Sequence, residues 1–235
     1  MPSLFALANP HNFMRVSRVA LPIAAVATVL CLGLGLGLAF NVPPDYQQGT
    51  TVMLMFAHVP AVTVAEIAYG AIAVCSLFSL VWRHPLSDTA ARAAAPLGAV
   101  FTALGLITGA LWGKPMWGAY WVWDARLTSF LLLLFLYLGY MALWSSIEDE
   151  SRAGRAAAIL ALVGAVNIPI IKFSVDWWST LHQGESIISG KIAGVYLAPL
   201  LLMMAGYALL FLTLWLLRIQ TAILERRARN LMVGA

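Results

Sequence analysis

The chain has 235 residues, 62% of them hydrophobic and 10% charged, against roughly 25% charged in an ordinary soluble domain, so its apolar surface requires lipid around it. The formal net charge of +4 comes from basic residues dispersed among apolar runs, a pattern that argues for membrane orientation and against nucleic-acid binding. Cys31 and Cys75 each lie inside an apolar run, and no C-x-x-C or C-x-x-C-H occurs, which argues against a disulfide, a zinc site and covalent haem on this chain.

Six membrane helices are expected in chain order, at about 19–40, 59–82, 93–112, 127–145, 156–173 and 192–217. Each approaches the ~20 residues that cross a hydrocarbon core of about 30 Å. The predicted fold class is therefore an all-α integral membrane protein, with a single six-helix domain over residues 1–235. Arg15 and Arg18 precede the first span as in a signal peptide, but its 22-residue apolar run is too long for a cleavable segment. Arg15, Arg18, Arg83, Arg92, Arg152, Arg155, Arg218, Arg226, Arg227 and Arg229 fall on one side; Lys114, Arg126, Lys172 and Lys191 fall on the other. That asymmetry puts both termini in the cytoplasm and the connections 41–58, 113–126 and 174–191 outside. The inner loops are short, so any chemistry belongs to the membrane or its outer rim. Glycines at 33 and 37, 105 and 109, and 190 and 194 have small-xxx-small helix-packing spacing.

Sorting the polar residues by side isolates a few. His11 and His84 lie on the cytoplasmic side among arginines and read as solvated histidines. His58, at the start of the second span, and His182, in the third outer connection, share the outer rim. Two neutral imidazoles suit a six-coordinate haem iron and fall short of the three or four ligands of zinc. Asp176 and Glu185 stand near His182 as candidate acceptors for its second ring nitrogen. Glu66 lies eight residues beyond His58, about 12 Å deeper in the second span, where a carboxylate is a functional candidate.

Between the third and fourth spans runs "WGAYWVWDARLT", 117–128, with Trp112 just before it. If helical, Trp117, Trp121, Asp124 and Thr128 share one face, flanked by Tyr120 and Trp123, with Gly118 leaving a gap. Indoles offer flat contact to a porphyrin, and Arg126 suits a propionate. A second reading stays open: an interfacial aromatic girdle, with Asp124 capping the fourth span.

The stretch "LWGKPMWGAYWVWDARLTS" resembles the tryptophan-rich WWD signature of haem-handling proteins, with W-G-x-x-W-x-W-D met at Trp117, Gly118, Trp121, Trp123 and Asp124. "AHVPA" around His58 and "VNIPIIKFSVDWWSTLHQG" leading to His182 resemble the histidine segments of the cytochrome c maturation protein C family, the haem exporter proteins C. The resemblance covers nearly the whole chain. It implies a subunit of bacterial cytochrome c maturation, multi-pass in the inner membrane, that holds non-covalent haem b at the periplasmic face. It further implies presentation of that haem for covalent attachment to a periplasmic haem chaperone. The implied partners are the ATPase and membrane subunits of an ATP-binding-cassette transporter and a small single-span subunit. By position, His58 and His182 would be the axial ligands, with Trp117, Gly118, Trp121, Trp123 and Asp124 in the haem platform between 113 and 128; Arg126 is added on electrostatic grounds. No nucleotide-binding loop occurs, so the expectation is a transfer factor and not a conventional enzyme. Two rivals remain: a b-type haem electron-transfer subunit, and a small-solute transporter using Glu66.

Overall fold

The computed structural model describes residues 9–84, 86–178, 180, 182 and 192–233. Among them the regular structure is helical, and six helical stretches are long and apolar enough to cross a membrane. The all-α, six-span fold class read from the sequence is what the structure has.

Helix α1, Pro10–Ala39, starts where the Asn9 side chain accepts the His11 N–H at 2.9 Å and Pro10 takes the first helical position, where a missing N–H costs nothing. It packs along α7, Gly194–Val233. At 1.5 Å per residue the 40 residues of α7 span about 60 Å, twice the hydrocarbon thickness, so its arginine-bearing end stands clear of the bilayer. Val19, Ile23, Val26 and Val29 of α1 are exposed, as lipid-facing residues must be in a protein taken out of its membrane.

A short 3-10 turn, Thr50–Leu54, leads into α2, Met55–Trp82, which packs on α3, α5 and α7 and forms the centre of the bundle. Helix α3 runs Ser87–Trp117 and α4 runs Ala125–Ser146. The α2–α3 seam includes Ala61, Ala65 and Ala68 of α2 and, nearer its other end, Ala91, Ala94 and Ala95 of α3, all nearly inaccessible. Small side chains let the backbones approach, which is how helices gain van der Waals contact where lipid supplies no hydrophobic drive. Into this seam Tyr137 of α4 inserts beside Gly98, donates its hydroxyl to Ala65 O at 2.6 Å, and meets the Tyr69 ring edge-on at 5.1 Å.

The fifth stretch is two helices where one continuous segment, 156–173, was expected. Helix α5, Glu150–Gly164, stops, and α6, Asn167–Trp177, restarts after a turn. Pro169 explains the break: it has no N–H for Ala165 O, and its ring clashes with that carbonyl. Ala165 O instead accepts the tighter Ile168 N–H at 3.1 Å. Asn167, at the break, donates its amide to Ser129 O at 2.8 Å and ties α6 to the start of α4. The chain leaving α6 is thereby brought beside the α3–α4 connection.

A candidate two-histidine site at one end of the bundle

His58 is the fourth residue of α2, at the end of the bundle opposite both termini. Its ring lies on α3. Nδ1 is 3.0 Å from Gly105 O and 3.2 Å from Thr108 Oγ1. A carbonyl only accepts, so Nδ1 carries the proton and the Nε2 lone pair is left for another partner. Gly109 gives the ring its space, since a Cβ there would stand 2.8 Å from His58 Cε1. Trp112 closes the side, its ring edge-on to the imidazole at 5.7 Å, and its N–H donates to Gln48 Oε1 at 2.8 Å. Residues 105, 108, 109 and 112 are one face of α3, the i, i+3, i+4, i+7 pattern. Sequence reasoning took the two glycines for packing alone and did not connect them to His58.

His182 follows α6 and turns back onto Asp124. The Asp124 side chain does two things at once. Oδ1 caps α4 by accepting the Leu127 N–H at 2.8 Å; Oδ2 accepts the Thr180 hydroxyl at 2.5 Å and stands 3.2 Å from His182 Nδ1. The His182 N–H in turn donates to Thr180 Oγ1 at 3.1 Å. A carboxylate accepts only, so here too Nδ1 is the donor and Nε2 keeps its lone pair. Burial pushes the His182 imidazole below its ordinary value; Asp124 opposes this, and the Arg126 charge adds to the lowering. The ring is therefore neutral at pH 7. Burial would raise Asp124, but the hydrogen bonds from Thr180, Leu127 and His182 outweigh it and hold the carboxyl below its usual range. The Trp117 ring meets His182 edge-on at 4.7 Å.

These contacts correct two expectations. The acceptor on His182 is Asp124, while Asp176 is exposed on α6 and Glu185 lies outside the described residues, as does Lys191. The segment 117–128 is also not one helix. Helix α3 ends at Trp117, Gly118 takes the left-handed conformation at φ 75°, residues 119–123 are irregular, and Asp124 is extended at its cap. Gly118 thus serves a turn that a Cβ would strain, and the shared face of Trp117, Trp121, Asp124 and Thr128 does not form.

The tryptophans separate accordingly. Trp112 walls His58 and Trp117 walls His182. Trp121 and Trp123 pack on each other at 5.4 Å and, with Leu106, Ile107, Ala110 and Leu131, line an apolar depression of about 410 Å³. Trp123 is 76% exposed, whereas Trp121 Nε1 is buried with no hydrogen-bond partner among the described residues. Tyr120, also exposed, lies under the Lys114 ammonium at 5.1 Å. Arg126, half-buried in the first turn of α4, acts electrostatically on both imidazoles, and the two imidazoles act on each other. Glu66 is half-buried two turns deeper in α2, within electrostatic reach of Tyr137. Gln48, Thr108 and Thr180 are site residues that no sequence pattern flagged.

Each imidazole thus has an acceptor at Nδ1 and an indole beside it, which leaves its Nε2 lone pair unused by these contacts. Among the described residues no group of three or more His, Cys, Asp or Glu is arranged to hold a metal ion. The sequence matches the family described as Heme exporter protein C over residues 3–234. It is similar to the Heme exporter protein C of Bradyrhizobium diazoefficiens, 53% identical over 97% of this chain and 88% of that protein. The relatives from Paracoccus denitrificans and Escherichia coli are 46% and 45% identical, over 98% and 97% of this chain and 97% and 94% of theirs. Matched along nearly its whole length by the family model and by these relatives, this chain belongs to the haem exporter protein C family.

Proposed function

We propose that this multi-pass protein of the bacterial inner membrane binds haem b non-covalently at its periplasmic end, within cytochrome c maturation, and presents it for covalent attachment to a periplasmic haem chaperone. The observation that carries this reading is the shared state of the two imidazoles: each Nδ1 is tied to an acceptor, so each Nε2 is an unprotonated donor. The relatives' printed name supports haem as the cargo.

In this reading His58 and His182 are the axial donors, and Gly105 O and Asp124 fix their tautomers. Trp112 and Trp117 confine the rings; Trp121 Nε1 and the Arg126 guanidinium are donors for carboxylates at the porphyrin edge. Haem supplies the porphyrin that is attached; this chain holds the iron and leaves one edge at the rim, where exposed Trp123 and Tyr120 meet the chaperone. ATP hydrolysis belongs to an ATP-binding-cassette pair working with this chain and a small single-span subunit. The donors sit at one end of the bundle, one of them in a connection, and that favours delivery over transmembrane electron transfer, which uses ligands well inside facing helices.

The test is the haem spectrum of the purified, detergent-solubilised protein. Wild type is expected to hold six-coordinate haem, and His58→Ala and His182→Ala each to lose an axial ligand. A haem-free wild type, or six-coordinate haem retained in both variants, overturns the assignment.

A further inference from the structure

At the opposite end of the bundle, which the arginine distribution assigns to the cytoplasm, a second cavity of about 210 Å³ opens between α3, α4 and α7. Arg92 and Arg218 line it together with Tyr140, Trp144, Pro96 and Ser145. The Arg92 guanidinium lies over the Trp144 ring at 5.0 Å. Arg218 is anchored through Nε, which donates to Ala93 O at 3.1 Å, so its two terminal nitrogens are left to point elsewhere. Among the described residues neither guanidinium forms an ion pair with a carboxylate, although Asp88, one turn before Arg92 on α3, lies near the Trp144 ring. Two exposed guanidiniums that face one cavity suit an anion such as a phosphate.

Depth names its source. Measured along the helices from their outer ends at 1.5 Å per residue, Arg218 is about 36 Å below Gly194 and Arg92 about 38 Å below Trp117, just past the ~30 Å hydrocarbon core. Tyr140 is about 23 Å below Ala125, still at acyl-chain depth. The cavity therefore has an aromatic floor in the hydrocarbon and a cationic mouth at the level of the lipid phosphates. We propose that this groove is a binding site for the phosphate headgroup of an anionic phospholipid of the cytoplasmic leaflet, held bidentately by Arg92 and Arg218, with its acyl chains along Tyr140 and Trp144.

Native mass spectrometry of the full-length protein in detergent, titrated with phosphatidylglycerol, tests this. Wild type is expected to retain one tightly bound lipid, preferred over phosphatidylcholine. R92Q/R218Q is expected to weaken retention at least about 10-fold, while R152Q/R155Q, which removes the same charge from the same side, leaves it unchanged. R92K/R218K, which keeps charge but not the planar fork, is expected to fall between them, and an unaltered circular dichroism spectrum shows that the variants fold. Equal retention by wild type and R92Q/R218Q overturns the site, as does equal loss in R152Q/R155Q. Displacement of the lipid by millimolar inorganic phosphate overturns the lipid as its occupant.

Discussion

Asp124 is the residue at which cap, histidine and connection meet, and Asp124→Asn separates its roles. Asparagine caps a helix as well as aspartate does, so the Leu127 N–H keeps its partner and α4 keeps its start. What is lost is the negative charge at Oδ2, which accepts the Thr180 hydroxyl and faces His182 Nδ1 at 3.2 Å. A hydrogen bond to a charged group contributes about 1.5–3 kcal/mol. Removing the partner that orients a ligating histidine typically costs about 10–100-fold in affinity, or about 1.4–2.8 kcal/mol, and the two estimates agree. The side chain is only 9% exposed, so solvent does little to weaken the interaction. The expected result is a haem Kd raised about 10–100-fold with Tm nearly unchanged, measured by spectrophotometric titration and a thermal melt on the same sample. Asp124→Ala should show the same affinity loss plus about 1 kcal/mol of lost stability from the missing cap. A haem Kd for Asp124→Asn within about twofold of wild type would refute the claim that this carboxylate sets the His182 donor.

The acid limb of haem retention gives a second check. His182 is held below its ordinary value of 6.5, so the unfolded chain takes up its proton first. The stability and donor strength tied to its neutral form are full above pH 6.5 and fall as pH drops from there through the folded value. Arg126 lowers that value, so Arg126→Gln should move haem loss to higher pH; Asp124 raises it, so Asp124→Asn should move the limb to lower pH, and shifts of the same sign in a pH titration would contradict this electrostatic account. Gly109→Ala would drive a methyl into the His58 ring, and a displaced axial signal with about 1–3 kcal/mol of lost stability is expected; an unchanged spectrum would show that the ring is not seated there. Tyr137→Phe removes one interhelical hydrogen bond in the membrane, to Ala65 O, and should cost only about 0.6 kcal/mol in an unfolding titration while leaving the haem spectrum untouched.

Several features were legible in the residues alone, for physical reasons. Long apolar runs dictate membrane helices, because in lipid a backbone must satisfy its own hydrogen bonds. The arginine asymmetry brings His58, His182 and Trp117–Asp124 to one side without any coordinates. Three other features depended on tertiary contact. Pro169 sat in plain view, but where the chain goes after the break depends on Asn167 reaching Ser129 O across 38 residues. The stretch from Trp117 to Thr128 has a helical period that Gly118 interrupts, and the cap at Asp124 then uses the same carboxylate that holds Thr180 and His182. The partners of the histidines, Gly105 O and the Asp124 carboxylate, lie 47 and 58 residues away along the chain. Periodicity reports which side of a helix is apolar; it carries no information on which distant acceptor meets a ring nitrogen. That choice, which leaves Nε2 as the donor on both histidines, was made only when α3 packed on α2 and the chain beyond α6 folded back onto the start of α4.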